Sequence, residues 1–299
     1  MGMSGRSLIA SALGLGLAVM FGATRLLAEE PAPKKYEVEL QENVQYGTGA
    51  GEPLTLHLAK PKGVTEPCPV IVYIHGGGWR AGSKDGHRND ITRAAEKGYV
   101  SASVGYRFAP AHRFPAQIED VKCAIRYLRA HAKELNIDPN RIGAIGFSAG
   151  AHLSMILGAM DSADGLEGNG GWADQSSKVQ AVVAYFGPTN FNSPYPELTV
   201  PIIETFLGGT AKEKPEEYKL ASPVTYVNKG DAPMLLFQGT VDVLVPYEQA
   251  FEMATALSKA GVPGRIELLL GKGHGWGNED LEHTRQVGDE FFAQYLKKK

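Results

Sequence analysis

Gly146-Phe147-Ser148-Ala149-Gly150 sets a serine between two glycines, where an apolar strand expected over 141–147 gives way to a helix expected over 149–160. A serine hydroxyl is a poor nucleophile at neutral pH unless a base takes its proton and an acid holds that base. Strand–turn–helix is the setting in which G-x-S-x-G places such a hydroxyl on a sharp turn above a sheet, with the acid after a later strand and the histidine near the end of the chain. Asp242 follows the strand expected over 234–238, and His274 follows the one expected over 265–270, inside Gly271-Lys272-Gly273-His274-Gly275. Asp231 precedes the strand that Asp242 follows and so belongs to the opposite sheet edge. Among the other histidines, His87, His131 and His283 fall in polar helical segments and His112 in a loop. His152 lies in the helix after the serine, where packing accounts for it.

Attack on a carbonyl creates an oxyanion, which backbone N–H groups aimed in advance can stabilise. His75-Gly76-Gly77-Gly78 offers a backbone bare enough for that, directly after the buried strand expected over 69–74. The N–H groups of Gly77, Gly78 and Ala149 are the expected donors, the last helped by the helix start. His75 is expected to brace this loop rather than act as the base. Trp79 and Trp172 flank these segments and are expected to line the acyl or sugar side of the cleft, with a role as core or loop anchors as the alternative.

These residues need a frame. From residue 69 to the end, apolar runs of strand length alternate with helical patterns, which implies a mostly parallel sheet covered by helices on both faces of one domain. The clearest helix, 117–135, carries Ile118, Val121, Ile125, Leu128 and Ala132 on one face. Strands over 36–46 and 54–58 precede this frame, and alternation puts His57 on the solvent side. Two stretches break the rhythm: 161–177, rich in Gly, Asp and Ser, and 187–230, with six prolines. Both are expected as irregular insertions at the carboxyl edge of the sheet, walling the substrate site.

The 299 residues are 43% hydrophobic with a net charge of −3, which suits a globular core and leaves no basic surface for nucleic acid. No His/Cys cluster has metal-ligand spacing. Cys68 and Cys123 could pair or remain two buried thiols, the latter being favoured. Residues 1–28 read as a secretory signal, with Arg6 before an apolar stretch from Leu8 to Phe21 and cleavage after Ala28; an uncleaved anchor is the alternative. The expected location is secreted or periplasmic, with no membrane contact after cleavage, a short linker over 29–35 and a catalytic domain over 36–299.

Together, His75-Gly76-Gly77-Gly78-Trp79, Tyr106-Arg107-Phe108-Ala109-Pro110, Phe114-Pro115-Ala116-Gln117, Gly146–Gly150 and the Asp242/His274 pair resemble α/β-hydrolase-fold esterases of the hormone-sensitive-lipase-like group. Within it, Gly76-Gly77-Gly78-Trp79-Arg80-Ala81-Gly82-Ser83-Lys84, Phe186-Gly187-Pro188-Thr189 and Asp242-Val243-Leu244-Val245-Pro246-Tyr247 resemble small bacterial carbohydrate esterases that remove acetyl, and in some cases feruloyl, esters from plant xylan. The resemblance implies a cofactor-free serine esterase with Ser148, His274 and Asp242 as its triad. The large N-terminal helical cap of many relatives is missing, which implies an open site for short acyl groups or polymer-borne esters. The same scaffold supports a general short-chain carboxylesterase, a kynurenine-formamidase-like amidase or an oligopeptidase domain, and, from another class, a catalytically inactive binding module.

Overall fold

The computed structural model describes residues 35–297; the segment read as a signal and nearly all of the expected linker lie outside them. The described chain builds one sheet of eight strands: β1 (Val38–Gly49), β2 (Glu52–Pro61), β3 (Cys68–Ile74), β4 (Val100–Val104), β5 (Ile137–Phe147), β6 (Ala181–Tyr185), β7 (Met234–Gly239) and β8 (Gly264–Leu269). Their spatial order is β1-β2-β4-β3-β5-β6-β7-β8. β1 and β2 pair antiparallel, β2 meets β4 antiparallel, and every pairing from β4 through β8 is parallel.

Strands buried on both faces read as mostly apolar runs; β3, β4, β6 and β7 are buried at every position, with Ser101, Ser103 and Gln238 as their polar members. Alternate residues serve two separate cores. Val70, Val72, Ile74, Val182 and Leu236 face α2 (Ala116–Ala130), α3 (Ala149–Ala159) and α6 (Glu248–Ala260). Ile71, Tyr73, Val183, Leu235 and Phe237 face α1 (Arg88–Glu96) and α7 (Asn278–Leu296). Parallel strands share one polarity, so the loops after β3, β5, β7 and β8 leave the same edge of the sheet. Those loops carry the glycine triplet, Ser148, Asp242 and His274.

Four expectations are corrected. His57 does not face solvent: it is 0% exposed, because the segment before α1 covers that face of β2, and its Nε2 meets Asp85 Oδ1 at 2.7 Å. The stretch 187–230 is not irregular, since it folds as α4 (Val200–Leu207), α5 (Pro215–Leu220) and a 3₁₀ turn at Pro223–Thr225. The stretch 161–177 does not wall the site. It follows helix α3, which returns the chain across the sheet, so it emerges away from the carboxyl edge and is tied down by α2. Lys122 Nζ bonds the Gly165 carbonyl and Glu167, while Arg126 bonds Glu167 and the Gly171 carbonyl. Trp172 goes with that stretch, onto the outer side of α2 rather than into the cleft. Cys68 and Cys123 are separate, buried, free thiols, one entering β3 and the other inside α2.

Candidate active site

The turn between β5 and α3 forces Ser148 to φ 53°, ψ −119°. This region is costly for an L residue, of order 1–3 kcal/mol, and persists only where the surroundings dictate it. Those surroundings are backbone. A side chain at Gly146 would overlap the Gly150 carbonyl, and one at Gly150 would overlap that of Ile74. The two glycines are required because the turn packs this tightly against itself and β3. Ser148 N–H bonds the Tyr185 carbonyl at the end of β6, fixing the elbow to the sheet. The hydroxyl stands half-exposed at the start of α3, whose Ala149 N–H has no intrahelical acceptor.

His274 and Asp242 reach this hydroxyl from the loops after β8 and β7. His274 Nε2 lies 2.9 Å from Ser148 Oγ, and His274 Nδ1 lies 2.8 Å from Asp242 Oδ2. The two loops are stitched together: Val241 N–H bonds the Lys272 carbonyl, Thr240 N–H bonds that of Leu269, and Gly271 N–H bonds Thr240 Oγ1. The Asp242 side chain is fully buried, whereas that of His274 is 18% exposed. A buried carboxylate needs donors to replace water. Asp242 has Leu244 and Val245 N–H on Oδ1 at 2.8 and 3.0 Å, and Gln238 Nε2 on Oδ2 at 3.1 Å. An acid accepting from His274 Nδ1–H leaves Nε2 as the base facing the serine, the tautomer that general-base catalysis requires. Phe186, with φ 44° at the end of β6, lays its ring 4.7 Å from the imidazole and packs on Trp276, confining His274 on that side.

The glycine loop lies alongside the elbow: a side chain at Gly76 would come within 2.8 Å of the Phe147 carbonyl and 3.3 Å of Ser148 Cβ. Gly77 and Gly78 have φ of 113° and 59°. Arg80 and Ala81 N–H groups fold back onto the Gly77 carbonyl, while the N–H groups of Gly77 and Gly78 find no acceptor among the described residues. His75 braces the loop. Its Nδ1–H donates to the Gly76 carbonyl at 2.7 Å, its ring stacks 4.3 Å from Tyr106, and Tyr106 Oη donates to the His75 carbonyl at 3.0 Å. Burial pushes His75 down to about 4, so it stays neutral.

Trp79 does not line the cleft. It is 2% exposed and stacks 4.3 Å from Phe206 of α4. Its Nε1–H donates to His152 Nδ1 at 3.1 Å, and His152 Nε2–H donates to the Ala221 carbonyl at 2.7 Å. The indole anchors the end of the glycine loop to α3 and to the 187–230 insertion. His152, pushed down to about 4 by burial, is the neutral link between them. The insertion reaches the site through Ile202, whose methyl group abuts Gly78, and through Thr199 Oγ1, which bonds the Leu244 carbonyl beside Asp242.

The structure thus brings Ser148, Asp242, His274, Gly77, Gly78 and Ala149 together and leaves Trp79 and Trp172 out. Gln238, Phe186 and the Trp79–His152 link escape a sequence reading. A glutamine ending the otherwise apolar run Met234–Gly239 is the one local signal among them.

An eight-stranded, mostly parallel sheet carrying a serine on a strained strand–helix elbow, with histidine and aspartate from the last two strand ends, defines an α/β-hydrolase. Residues 56–257 match the BD-FAE family model, and the chain belongs to that family. It is 34% identical over 226 residues to Esterase LipC of Mycobacterium tuberculosis, an alignment covering 71% of this chain and 54% of LipC. The chain spans about half the length of the curated relatives it matches. Among solved structures, a truncated carbohydrate esterase from gut microbiota superposes with a TM-score of 0.74 at 30% identity, covering 90% of this chain and 99% of that one. Est2, an esterase of Thermogutta terrifontis solved with propionate bound, superposes with a TM-score of 0.72 at 28% identity, covering 90% of this chain and 98% of Est2.

Proposed function

We propose that the protein is a serine carboxylic-ester hydrolase acting on short acyl esters, with acetyl groups on a plant polysaccharide such as xylan as the substrate class and feruloyl esters as a second acyl type. The observation that carries the reading is the unbroken line Asp242–His274–Ser148, at 2.8 and 2.9 Å, beside unspent N–H groups of Gly77, Gly78 and Ala149. His274 Nε2 takes the Ser148 proton as Oγ attacks the ester carbonyl, and Asp242 supports the imidazolium. The oxyanion rests on the three backbone donors. His274 returns the proton to the leaving alcohol, then activates the water that releases the acid. The carbohydrate esterase among the structural relatives supports a sugar-borne ester, and the propionate held by Est2 supports a short acyl group. Reading residues 1–28 as a signal places the enzyme outside the cytoplasm, where such a polymer is found.

Two measurements test this. Ser148→Ala should abolish turnover of p-nitrophenyl acetate and labelling by a fluorophosphonate while leaving the fold intact; retained turnover sinks the mechanism. A panel of acetylated xylan, methyl ferulate, short and long p-nitrophenyl esters and N-formylkynurenine tests the substrate class. The proposal expects short esters and acetylated xylan to lead, and a clear preference for the formamide or for long chains overturns it.

A further inference from the structure

On the outer side of α2, away from the triad, an open groove of about 600 Å³ runs between β1 and the 161–177 stretch. Its floor is Trp172, which is 38% exposed. The indole is fixed rather than loose. Its Nε1–H donates to the Tyr46 carbonyl at 2.8 Å, and the rings of His131 and Tyr127 hold it at 79° and 66°, with centroids 4.6 and 5.8 Å away. Thr48 N–H bonds the Gly170 carbonyl, joining the stretch to the sheet edge two residues before the indole. With its one polar atom already satisfied, Trp172 offers only ring surface to a ligand.

The rim has the opposite character. Gln45, Thr48 and Glu134 are exposed, and the Glu134 carboxylate forms no hydrogen bond or ion pair among the described residues. His131, which lines the groove, spends Nδ1–H on the Tyr127 carbonyl, which leaves Nε2 for a ligand hydrogen bond. No lysine or arginine lines the groove, so an anion would meet only the Glu134 charge.

We infer that this groove is a second, non-catalytic binding site for a neutral β-linked pyranose chain. The C–H groups on a pyranose face carry partial positive charge and lie flat on the negative face of an aromatic ring, while the equatorial hydroxyls point outward to side-chain amides, carboxylates and imidazole nitrogen. An aromatic floor with a hydrogen-bonding rim and no cationic residue matches that ligand, and it suits a purely apolar or an anionic one poorly. The inference rests on the reading of the substrate as a sugar-borne ester, for which the groove would hold the polymer while the triad works on another part of it.

Calorimetric titration of xylohexaose, which carries no ester, into the Ser148→Ala protein measures binding apart from hydrolysis. Saturable binding is expected, at least about tenfold weaker when Trp172→Ala is added and less impaired with Trp172→Phe. In the protein with Ser148 intact, Trp172→Ala should leave p-nitrophenyl acetate turnover unchanged, which also shows that the variant folds. Absence of saturable binding, affinity indifferent to Trp172→Ala, or a loss of p-nitrophenyl acetate turnover in that variant would each overturn the groove. Assaying acetylated xylan on the same preparations separates the two ideas. Cleavage without xylohexaose binding removes the groove and keeps the substrate reading, whereas binding without cleavage does the reverse.

Discussion

Gly77 and Gly78 stand side by side in the oxyanion loop, yet an alanine at each should fail in a different way. At Gly78 the backbone has φ 59°, the left-handed region, where a Cβ costs about 1–2 kcal/mol. The added methyl would come 2.8 Å from Ile202 Cγ2, the branch methyl of a half-buried side chain on α4, a side-chain contact that a shift of a few tenths of an ångström in the loop or helix relieves. Against a total stability of roughly 5–15 kcal/mol, Gly78→Ala should fold. Its N–H, however, would be tilted from its target. One oxyanion donor is worth about 3 kcal/mol, so kcat should fall on the order of a hundredfold. KM should barely move, because the charge the donor serves exists only after attack. Gly77, at φ 113°, lies where L residues rarely go, and its added methyl would overlap the Ala81 carbonyl. That oxygen is backbone, inside the turn closed by Arg80 and Ala81 N–H on Gly77 O, so relief means breaking the turn. Gly77→Ala should therefore lose both stability and activity. Steady-state kinetics on p-nitrophenyl acetate, normalised by fluorophosphonate titration of active serine, together with urea denaturation, separates the two losses. If Gly78→Ala kept kcat within about twofold of the parent, or Gly77→Ala proved the more stable variant, the assignment of the donors would be wrong.

Trp79→Phe should keep the stacking on Phe206 but strand the buried His152 Nδ1, costing about 1–3 kcal/mol in urea denaturation and slackening the loop enough to lower kcat severalfold; unchanged kinetics would detach this link from catalysis. Gln238→Ala takes one donor from the buried Asp242, and kcat for p-nitrophenyl acetate should drop about tenfold with a small change in KM, whereas equal activity would show that Leu244 and Val245 suffice. Acidification should destabilise the fold through His75 and His152, both held near 4 by burial against about 6.5 when unfolded. Between those values the unfolded chain binds more protons, so the stability present above pH 6.5 is lost as pH falls towards 4, by about 2 kcal/mol per histidine from pH 7 to pH 5. Urea midpoints at the two pH values should show this, and His152→Gln should remove its share; an undiminished drop in that variant would clear His152.

Much of the site could be read from local chemistry. Ser148, Asp242 and His274 each follow a segment of strand length, and the shared polarity of parallel strands delivers all three to one edge whatever the packing. The glycine triplet was legible for the same reason, as was the character of β3 and β7, whose almost continuous apolar runs fit burial on both faces. Other features depend on which surfaces meet. The edge at which 161–177 emerges is set by the return of α3 across the sheet, and its attachment by Lys122 and Arg126 more than thirty residues earlier in the chain. Trp79 is core rather than cleft because α4, over a hundred residues later, supplies Phe206 to stack on it. His57 lies in an alternating strand that looks half-exposed until the segment carrying Asp85 covers it. Periodicity and motif spacing record what each segment does to itself and how strand polarity orders the loops. Burial and partnership between distant side chains are settled only when the helices close over the sheet, because those contacts are properties of two surfaces and neither segment encodes them alone.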